Sequence, residues 1–513
     1  MKAVLRRSDA PWREGWLRTP PAAPRIQSGG REPWPGAATN LAEAGAHPLA
    51  DAAAAAALRR RSDEIESAFG RIEPALRALA PRQFDEGFAA RAAEELRRTL
   101  EIEIDPAQLS AHWSRPLDLA RLHARCVLAV FCALASREFD RGAARLHEGE
   151  SAEALIRRFG FHAIDITPCA DGRLAGVLDF ILRVPPAVVA YRKSYAGALF
   201  DVEESLRHWE AVELRRWREG APNAASEPTR FLKIGVYHFS SVDPSHEGCA
   251  AHGSDDARAA GSLLARLEQF AQAVQAVHCC GASVATLLVG VDTDTDAIRV
   301  HVPDAGGRMQ VGRYVCAREL YERTAPLARE AAKEAIRAAV ADCAGVAADD
   351  AASEGMRWLC GYLLKNNLGQ VDAVRHRHGA GYAERGHAER LIVVGDAADD
   401  VQLRNLAFQA QMETVEEGGA DLEVGLKILG HLHAPRDLAV PVLVHCTYDE
   451  RIAGARERAH ARALRLQRSI ETRYGAAGRL VVQAVVRPRG QTLALAATEV
   501  LPPRGCGCTE CER

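Results

Sequence analysis

Long apolar runs are missing from this chain. The longest, Cys126 to Ala135, falls well short of the about 20 residues a helix needs to cross a bilayer, which argues against a spanning helix. The first residues, Met1-Lys2-Ala3-Val4-Leu5-Arg6-Arg7, hold no apolar stretch of signal-peptide length, and the expectation is a cytosolic protein without membrane contact. An excess of one charge is missing too. The formal net charge is -3, so no basic balance points to nucleic acid. Neither a Walker loop nor a dinucleotide fingerprint occurs. Lysine is scarce beside arginine and alanine is abundant, a bias of genomic base composition and not of function. Cysteine is present, but its 13 copies are scattered through 513 residues. In a reducing compartment most such cysteines are buried thiols, and a few are ligands or catalytic groups.

The length suggests roughly three domains, and 48% hydrophobic residues suffice for ordinary cores. Residues 1–50 read as a disordered tail, rich in Pro, Gly, Ala and Arg. Trp12, Trp16 and Trp34 stand in it, and aromatics among Arg and Pro can anchor a short segment on a partner. Residues 51–150 read as a helical domain. Ile65, Phe69, Ile72, Leu76 and Leu79 recur at helical steps, and Leu117, Leu119, Leu122, Val127, Val130 and Leu134 extend the pattern.

From Ser151 the texture becomes α/β. Strands are predicted over Phe161–Thr167, Val177–Val184, Phe231–Phe239 and Val284–Val291. Between the last two lies a helix capped by Ser254, with Asp255 and Asp256 in its first turn and Leu263, Leu264, Leu267, Phe270 and Val274 on its buried face. Residues 151–388 form one α/β domain on this reading. Residues 389–513 form another, with strands at Leu391–Val394 and Val440–His445 and a helix over Ile452–Tyr474. Asp396 and His445-Cys446 end its strands where Cys169-Ala170-Asp171 and His238 end those of the middle domain. That parallel reads as a decayed internal duplication.

The chemistry concentrates in Cys169-Ala170-Asp171-Gly172-Arg173. A thiolate can bind zinc. A carboxylate two residues on can accept a hydrogen bond from a water on the metal. An arginine two further on can hold that carboxylate bidentately and keep it ionised. His238 ends a predicted strand, and Cys249 stands eleven residues later, ahead of the helix. Cys, His and Cys from strand ends make a three-ligand site with one open position, the mark of catalytic zinc. His246-Glu247-Gly248-Cys249 also offers a His-x-x-Cys spacing, so His238 and His246 compete for one ligand position. His238 is favoured because a strand end holds a ligand rigidly, whereas His246 lies in a loop.

These residues resemble the carboxysome shell carbonic anhydrases, a branch of the β class sometimes called epsilon. The resemblance rests on Cys169-Ala-Asp-Gly-Arg173, His246-Glu-Gly-Cys-Ala-Ala-His-Gly-Ser-Asp-Asp256, Val291-Asp-Thr-Asp-Thr-Asp-Ala-Ile-Arg-Val-His-Val-Pro303, and Gly386-His-Ala-Glu-Arg390 leading into Val393-Val-Gly-Asp396. It covers about residues 55 to 505. It implies a helical N-terminal domain followed by two β-carbonic-anhydrase-like α/β domains, the second lacking metal. It also implies one Zn2+ per chain on Cys169, His238 and Cys249, with Asp171 and Arg173 as the catalytic dyad. The implied setting is a homodimer or larger assembly inside a bacterial microcompartment. There it converts bicarbonate to carbon dioxide beside Rubisco and shell proteins, which residues 1–50 would bind. Two rival readings are a scaffold that has lost turnover and a β-like enzyme acting on another small cumulated molecule, such as carbon disulfide.

Other signals carry less. Asp292, Asp294 and Asp296 begin like a calcium loop, but Ala297 and Pro303 stand where an EF-hand needs Gly and Glu. The three aspartates are expected to end a strand and serve its turn. His376, His378 and His387 read as a solvated loop, with His387 as a candidate to border the site and shuttle protons. Cys506, Cys508 and Cys511 form a thiol tail short of one ligand for a closed zinc site. Cys279-Cys280 is expected to pack at a helix end.

Overall fold

The stripe Ile65, Phe69, Ile72, Leu76 and Leu79 is shared by two helices that meet at Arg71. Helix α1 (Ala52–Gly70) starts at Asp51, whose carboxylate accepts the Ala54 N–H and so satisfies one of the orphan donors of a helix start. Helix α2 (Ile72–Leu79) carries the stripe on, and all five residues are buried. Helices α3 (Phe88–Leu100) and α4 (Leu119–Arg145) complete this part. The computed structural model describes residues 46–111, 116–145, 154, 159–184, 189–220, 230–277, 284–345, 351–398, 401, 403–475, 479–488 and 499–500. Trp12, Trp16, Trp34, Cys279-Cys280 and the Cys506, Cys508 and Cys511 tail lie outside them.

The end of the expected tail is docked. The His47 N–H donates to Asp372 Oδ1 at 3.0 Å, and its ring meets Thr324 Oγ1 at 2.9 Å. Leu49 is buried in the core of the middle sheet. Two anchoring residues in an Ala- and Pro-rich stretch show no periodicity, so the boundary expected at residue 50 misses them.

The middle sheet contains β1 (Phe161–Pro168), β2 (Val189–Arg192), β3 (Arg230–Phe239), β4 (Val284–Asp292), β5 (Ile298–His301) and β6 (Val315–Cys316), in the order β2-β1-β3-β4-β5-β6. The first four run parallel and the last two antiparallel. β3 is buried along nearly its whole length, as a parallel strand covered on both faces should be. Helices α5 (Val202–Arg218), α6 (Asp256–Val277), α7 (Ala317–Thr324), α8 (Arg329–Ala344) and α9 (Ala351–His378) accompany it.

Two local expectations are corrected. Val177–Leu182 is a π-helical turn and not a strand; Val177, Leu178, Ile181 and Leu182 are its buried residues. A short run broken only by Asp179 carries no period that separates the two. Ser254 does not cap α6. Its backbone is left-handed at φ 63°, and Asp255 takes the role, accepting the Arg258 N–H at 2.9 Å.

The second sheet contains β7 (Leu391–Gly395), β8 (Ala407–Gln411), β9 (Val440–Tyr448), β10 (Leu480–Pro488) and β11 (Glu499–Val500). Its order, read as β8-β7-β9-β10-β11, repeats β2-β1-β3-β4-β5. The four parallel strands and the antiparallel fifth repeat as well. Helices α10 (Val415–His433) and α11 (Ala455–Tyr474) pack in one core with this sheet. The core of α1 to α4 runs on into Leu391, Val393, Leu443, Val481 and Val485, so the helical part covers this sheet.

In each sheet the first strand lies between the second and the third. The chain leaves it on one side and returns on the other, and such a switch point opens a crevice at the carboxyl ends of the strands.

Candidate metal centre

Cys169 is the first residue beyond β1. Its N–H bonds the Val236 carbonyl of β3 at 3.0 Å, and the next N–H, of Ala170, bonds the Tyr195 carbonyl at 2.9 Å. The thiol thus sits at the switch point. His238 lies one strand over, near the end of β3. Cys249 precedes a single 3-10 turn, Ala250–His252, ahead of α6. Gly248 beside it packs on the Ser254 backbone, where a Cβ would stand 2.8 Å from the Ser254 oxygen. A side chain there would push Cys249 out of place.

The donor atoms of Cys169, His238 and Cys249 lie within 4.8 Å of one another, and all three residues are buried. The two sulfurs are 4.0 Å apart and unbonded. Tetrahedral zinc with Zn–S near 2.3 Å sets two sulfurs about 3.8 Å apart, so the spacing fits. His238 Nδ1 is buried with no hydrogen-bond partner among the described residues. The thiols shift in opposite directions. Their mutual contact, with burial, pushes Cys169 well up, and the same contact lowers Cys249. A cation beside both sulfurs is what favours two thiolates.

Asp171 and Arg173 stand next to this group. Arg173 Nε donates to Asp171 Oδ1 at 3.0 Å and Nη2 to Oδ2 at 2.9 Å. The Arg173 N–H also donates to Oδ1, at 2.9 Å. Nη1 of Arg173 reaches the Glu247 carbonyl at 2.9 Å, which links the dyad to the loop before Cys249. Asp171 Oδ2 lies 3.3 Å from His238 Nε2. Burial alone would raise the Asp171 carboxyl, but Arg173, then His238 and His387, hold it well below the usual carboxylate range. Burial works against the Arg173 charge as well, and Asp171 more than offsets it, so Arg173 stays a cation.

His246 is elsewhere. Its side chain is 75% exposed and its Nδ1 meets Asp243 Oδ1 at 2.9 Å. The three histidines separate: His376 bonds the Asp372 carbonyl, the His378 ring lies tilted against Tyr382, and His387 alone turns to the site. Glu389, which the sequence reading left without a role, bonds His387 Nδ1 at 2.9 Å. Its one signal was its place in Gly386-His-Ala-Glu-Arg390.

Asp292, Asp294 and Asp296 are buried structural groups. Asp292 holds Ser241 and Thr295, Asp294 holds Ser240 and the Val242 N–H, and Asp296 holds Gln370 and Tyr382. At the switch point of the second sheet, Asp396 is the first residue beyond β7. It bonds the Thr447 N–H and hydroxyl and Arg462. Burial pushes the neighbouring Cys446 thiol up to about 12. Among the described residues no third His, Cys or acidic side chain converges there, and no helix is long and apolar enough to cross a membrane.

Residues 151–387 match the family described as Carboxysome Shell Carbonic Anhydrase, catalytic domain. Residues 388–500 match its C-terminal part and residues 47–139 its N-terminal part. The chain is 43% identical over 435 residues to the carboxysome shell carbonic anhydrase of Halothiobacillus neapolitanus, covering 83% of this chain and 84% of that one. To that of Parasynechococcus marenigrum it is 43% identical over 453 residues, covering 87% and 77%. To that of Hydrogenovibrio crunogenus it is 38% identical over 423 residues, covering 81% and 79%. With three successive segments matched and relatives of this identity spanning most of its length, the chain belongs to the carboxysome shell carbonic anhydrase family.

Proposed function

We propose that this chain is a zinc carbonic anhydrase that interconverts carbon dioxide and bicarbonate inside a carboxysome and supplies carbon dioxide to Rubisco. One observation carries the reading: two thiols and an imidazole, all buried, converge beside a carboxylate held at two points by an arginine. Cys169, His238 and Cys249 would hold one zinc ion. Zinc supplies Lewis acidity, which makes a water acidic enough to serve as a nucleophile near neutral pH.

The protein's own groups do the rest. Asp171 stays ionised beside Arg173 and accepts a hydrogen bond from the reacting water through Oδ2, which aims a lone pair at the substrate carbon. Because Arg173 holds both carboxylate oxygens, Asp171 stays an acceptor and does not turn to become a fourth ligand. Dehydration of bicarbonate is the same path reversed.

The matching strand orders support a duplication in which the second sheet has lost its ligands. Asp396 stands where Cys169 stands, and Arg462 fills the space around it. The fused pair would then serve as two subunits of an ordinary β enzyme, within a homodimer or larger assembly. The segment before His47 would tether the enzyme to Rubisco or a shell protein. Metal analysis combined with a stopped-flow carbon dioxide hydration assay tests the reading. About one zinc per chain with turnover is expected. A zinc-loaded chain that does not hydrate carbon dioxide would leave the scaffold or an enzyme for another small cumulated molecule.

A further inference from the structure

Arg404 lies just before β8, in the second α/β domain, yet its side chain reaches into the middle domain and is 12% exposed. We propose that Arg404 is a positioning residue for the Asp171–Arg173 dyad, so that the domain without metal ligands helps to build the site of the other; this rests on the carbonic anhydrase reading above.

The guanidinium is held from several sides. Its Nη1 donates to the Thr293 carbonyl and lies 3.4 Å from Asp296 Oδ1. The centre of the Tyr382 ring lies 4.3 Å from the guanidinium carbon. Tyr382 is fixed in turn, because its hydroxyl donates to Asp296 Oδ2 at 2.7 Å. Thr293 is the residue this grip immobilises. It directly follows β4 and touches both parts of the site. Its N–H and hydroxyl donate to the Phe239 carbonyl, beside His238, at 2.9 and 3.1 Å. Its Oγ1 lies 3.4 Å from Arg173 Nη1. One residue therefore separates Arg404 from Arg173. The backbone next to Arg404 adds a second hold. The Asn405 N–H donates to the Gly172 carbonyl at 2.7 Å, in the turn between Asp171 and Arg173. A Cβ on Gly176 would stand 3.6 Å from the Arg404 nitrogen.

Packing alone does not account for an arginine here. Burial works against its charge and Arg173 opposes it as a like charge, while Tyr382 and Asp296 more than offset both. Its Nε is buried with no hydrogen-bond partner among the described residues. An apolar side chain would fill the space without an unpaired donor. It could not tie down the Thr293 carbonyl. Arg173 grips both Asp171 oxygens, so any shift of Arg173 carries the carboxylate with it. Arg404 makes and breaks no bond in the reaction; its contribution is the angle at which Asp171 meets the reacting water.

The test separates positioning from folding. Arg404→Met keeps bulk against Tyr382 and removes the charge and the donors. At the parent's zinc content it should lose at least about tenfold in kcat/KM for carbon dioxide hydration, since about 1 Å of misplacement can cost on the order of a hundredfold. Arg404→Lys, which keeps a donor for the Thr293 carbonyl, should recover most of that loss. Thr293→Val removes the hydroxyl that meets Arg173. The losses in Arg404→Met and Thr293→Val should not add, and the double variant should fall no further than the worse single one. A purely structural role would lower the melting temperature and leave kcat/KM per zinc unchanged. If a thermal melt shows Arg404→Met unfolded, Arg404→Leu takes its place under the same criteria. An active parent whose folded variant keeps its kcat/KM, or loses it only in proportion to lost zinc, overturns the positioning role alone. Losses that simply add overturn it as well. A zinc-loaded parent that does not hydrate carbon dioxide overturns the carbonic anhydrase reading and this role with it.

Discussion

Gly172 and Glu389 are 217 positions apart in the chain, yet a Cβ on the first would overlap the carboxylate of the second. The turn that carries Asp171 and Arg173 is thus closed over by the segment that opens the C-terminal region. Gly172→Ala should force Glu389 aside or displace the turn. Overpacking of this kind costs about 1–3 kcal/mol. Denaturant unfolding should show that loss together with reduced hydration activity. A variant as stable and active as its parent would mean the contact is soft.

Zinc content distinguishes the two candidate histidines. Cys169→Ser, Cys249→Ser and His238→Ala should each lose most of the metal, because each removes one of three protein ligands. His246→Ala should keep it, since His246 is exposed and bonds only within its own loop. Elemental analysis of the four purified proteins decides this. Full occupancy in His238→Ala would reject the ligand set.

Asp171→Asn should retain zinc and lose most turnover, because an amide cannot serve as the charged acceptor. Arg173→Ala should do more damage. Both side chains are nearly buried, and stranding a buried carboxylate costs roughly 3–5 kcal/mol. The expected pattern is a stable, inactive Asp171→Asn and a destabilised, inactive Arg173→Ala. Near-normal turnover in Asp171→Asn would remove that carboxylate from the mechanism.

Acid stability should depend on Asp396. Burial would raise its carboxyl, but Arg462 and Thr447 hold it below the usual range. A depressed carboxylate stabilises the folded state fully above its unfolded value, and the contribution fades as pH falls from roughly 4 through the folded value. The gap in unfolding free energy between the parent and Asp396→Asn should therefore be large at neutral pH and shrink at acid pH. A gap that ignores pH would assign the effect to packing.

Removal of the N-terminal segment should separate catalysis from tethering, provided the cut respects His47. A chain beginning at Ala46 keeps the bonds from His47 to Asp372 and Thr324 and should hydrate carbon dioxide at the full rate. It should fail to capture Rubisco in a low-salt pull-down, where the intact chain binds and is released by salt. Equal capture by both chains would move the tether into the folded domains.

What was legible in the sequence is what the chain settles over short spans. The Asp171–Arg173 pair closes within three residues, so its geometry follows from one turn and could be read from Cys-Ala-Asp-Gly-Arg. The runs at β1, β3 and β4 were legible too, because a parallel strand buried on both faces is mostly apolar; the buried exceptions Asp165 and Lys233 pair with each other at 2.9 Å. Strand β8 (Ala-Phe-Gln-Ala-Gln) escaped notice because Gln409 and Gln411 are polar, yet the chain buries both, pairing them at 3.2 Å. Local pattern also failed at Val177–Leu182, where an apolar run broken only by Asp179 is compatible with either period.

The tertiary structure alone decided the rest. The pairing of β1 with β3, Pro168 opposite Val236, brings Cys169 to His238 and leaves His246 in solvent. The return of the chain at Gly386 delivers His387 and Glu389 to a turn formed more than 200 residues earlier. The helical segment shares its core with the last sheet, which no periodicity within α1 to α4 can express. A helix pattern states which face is apolar and not what will cover it, because burial depends on partners that meet only after the chain has folded.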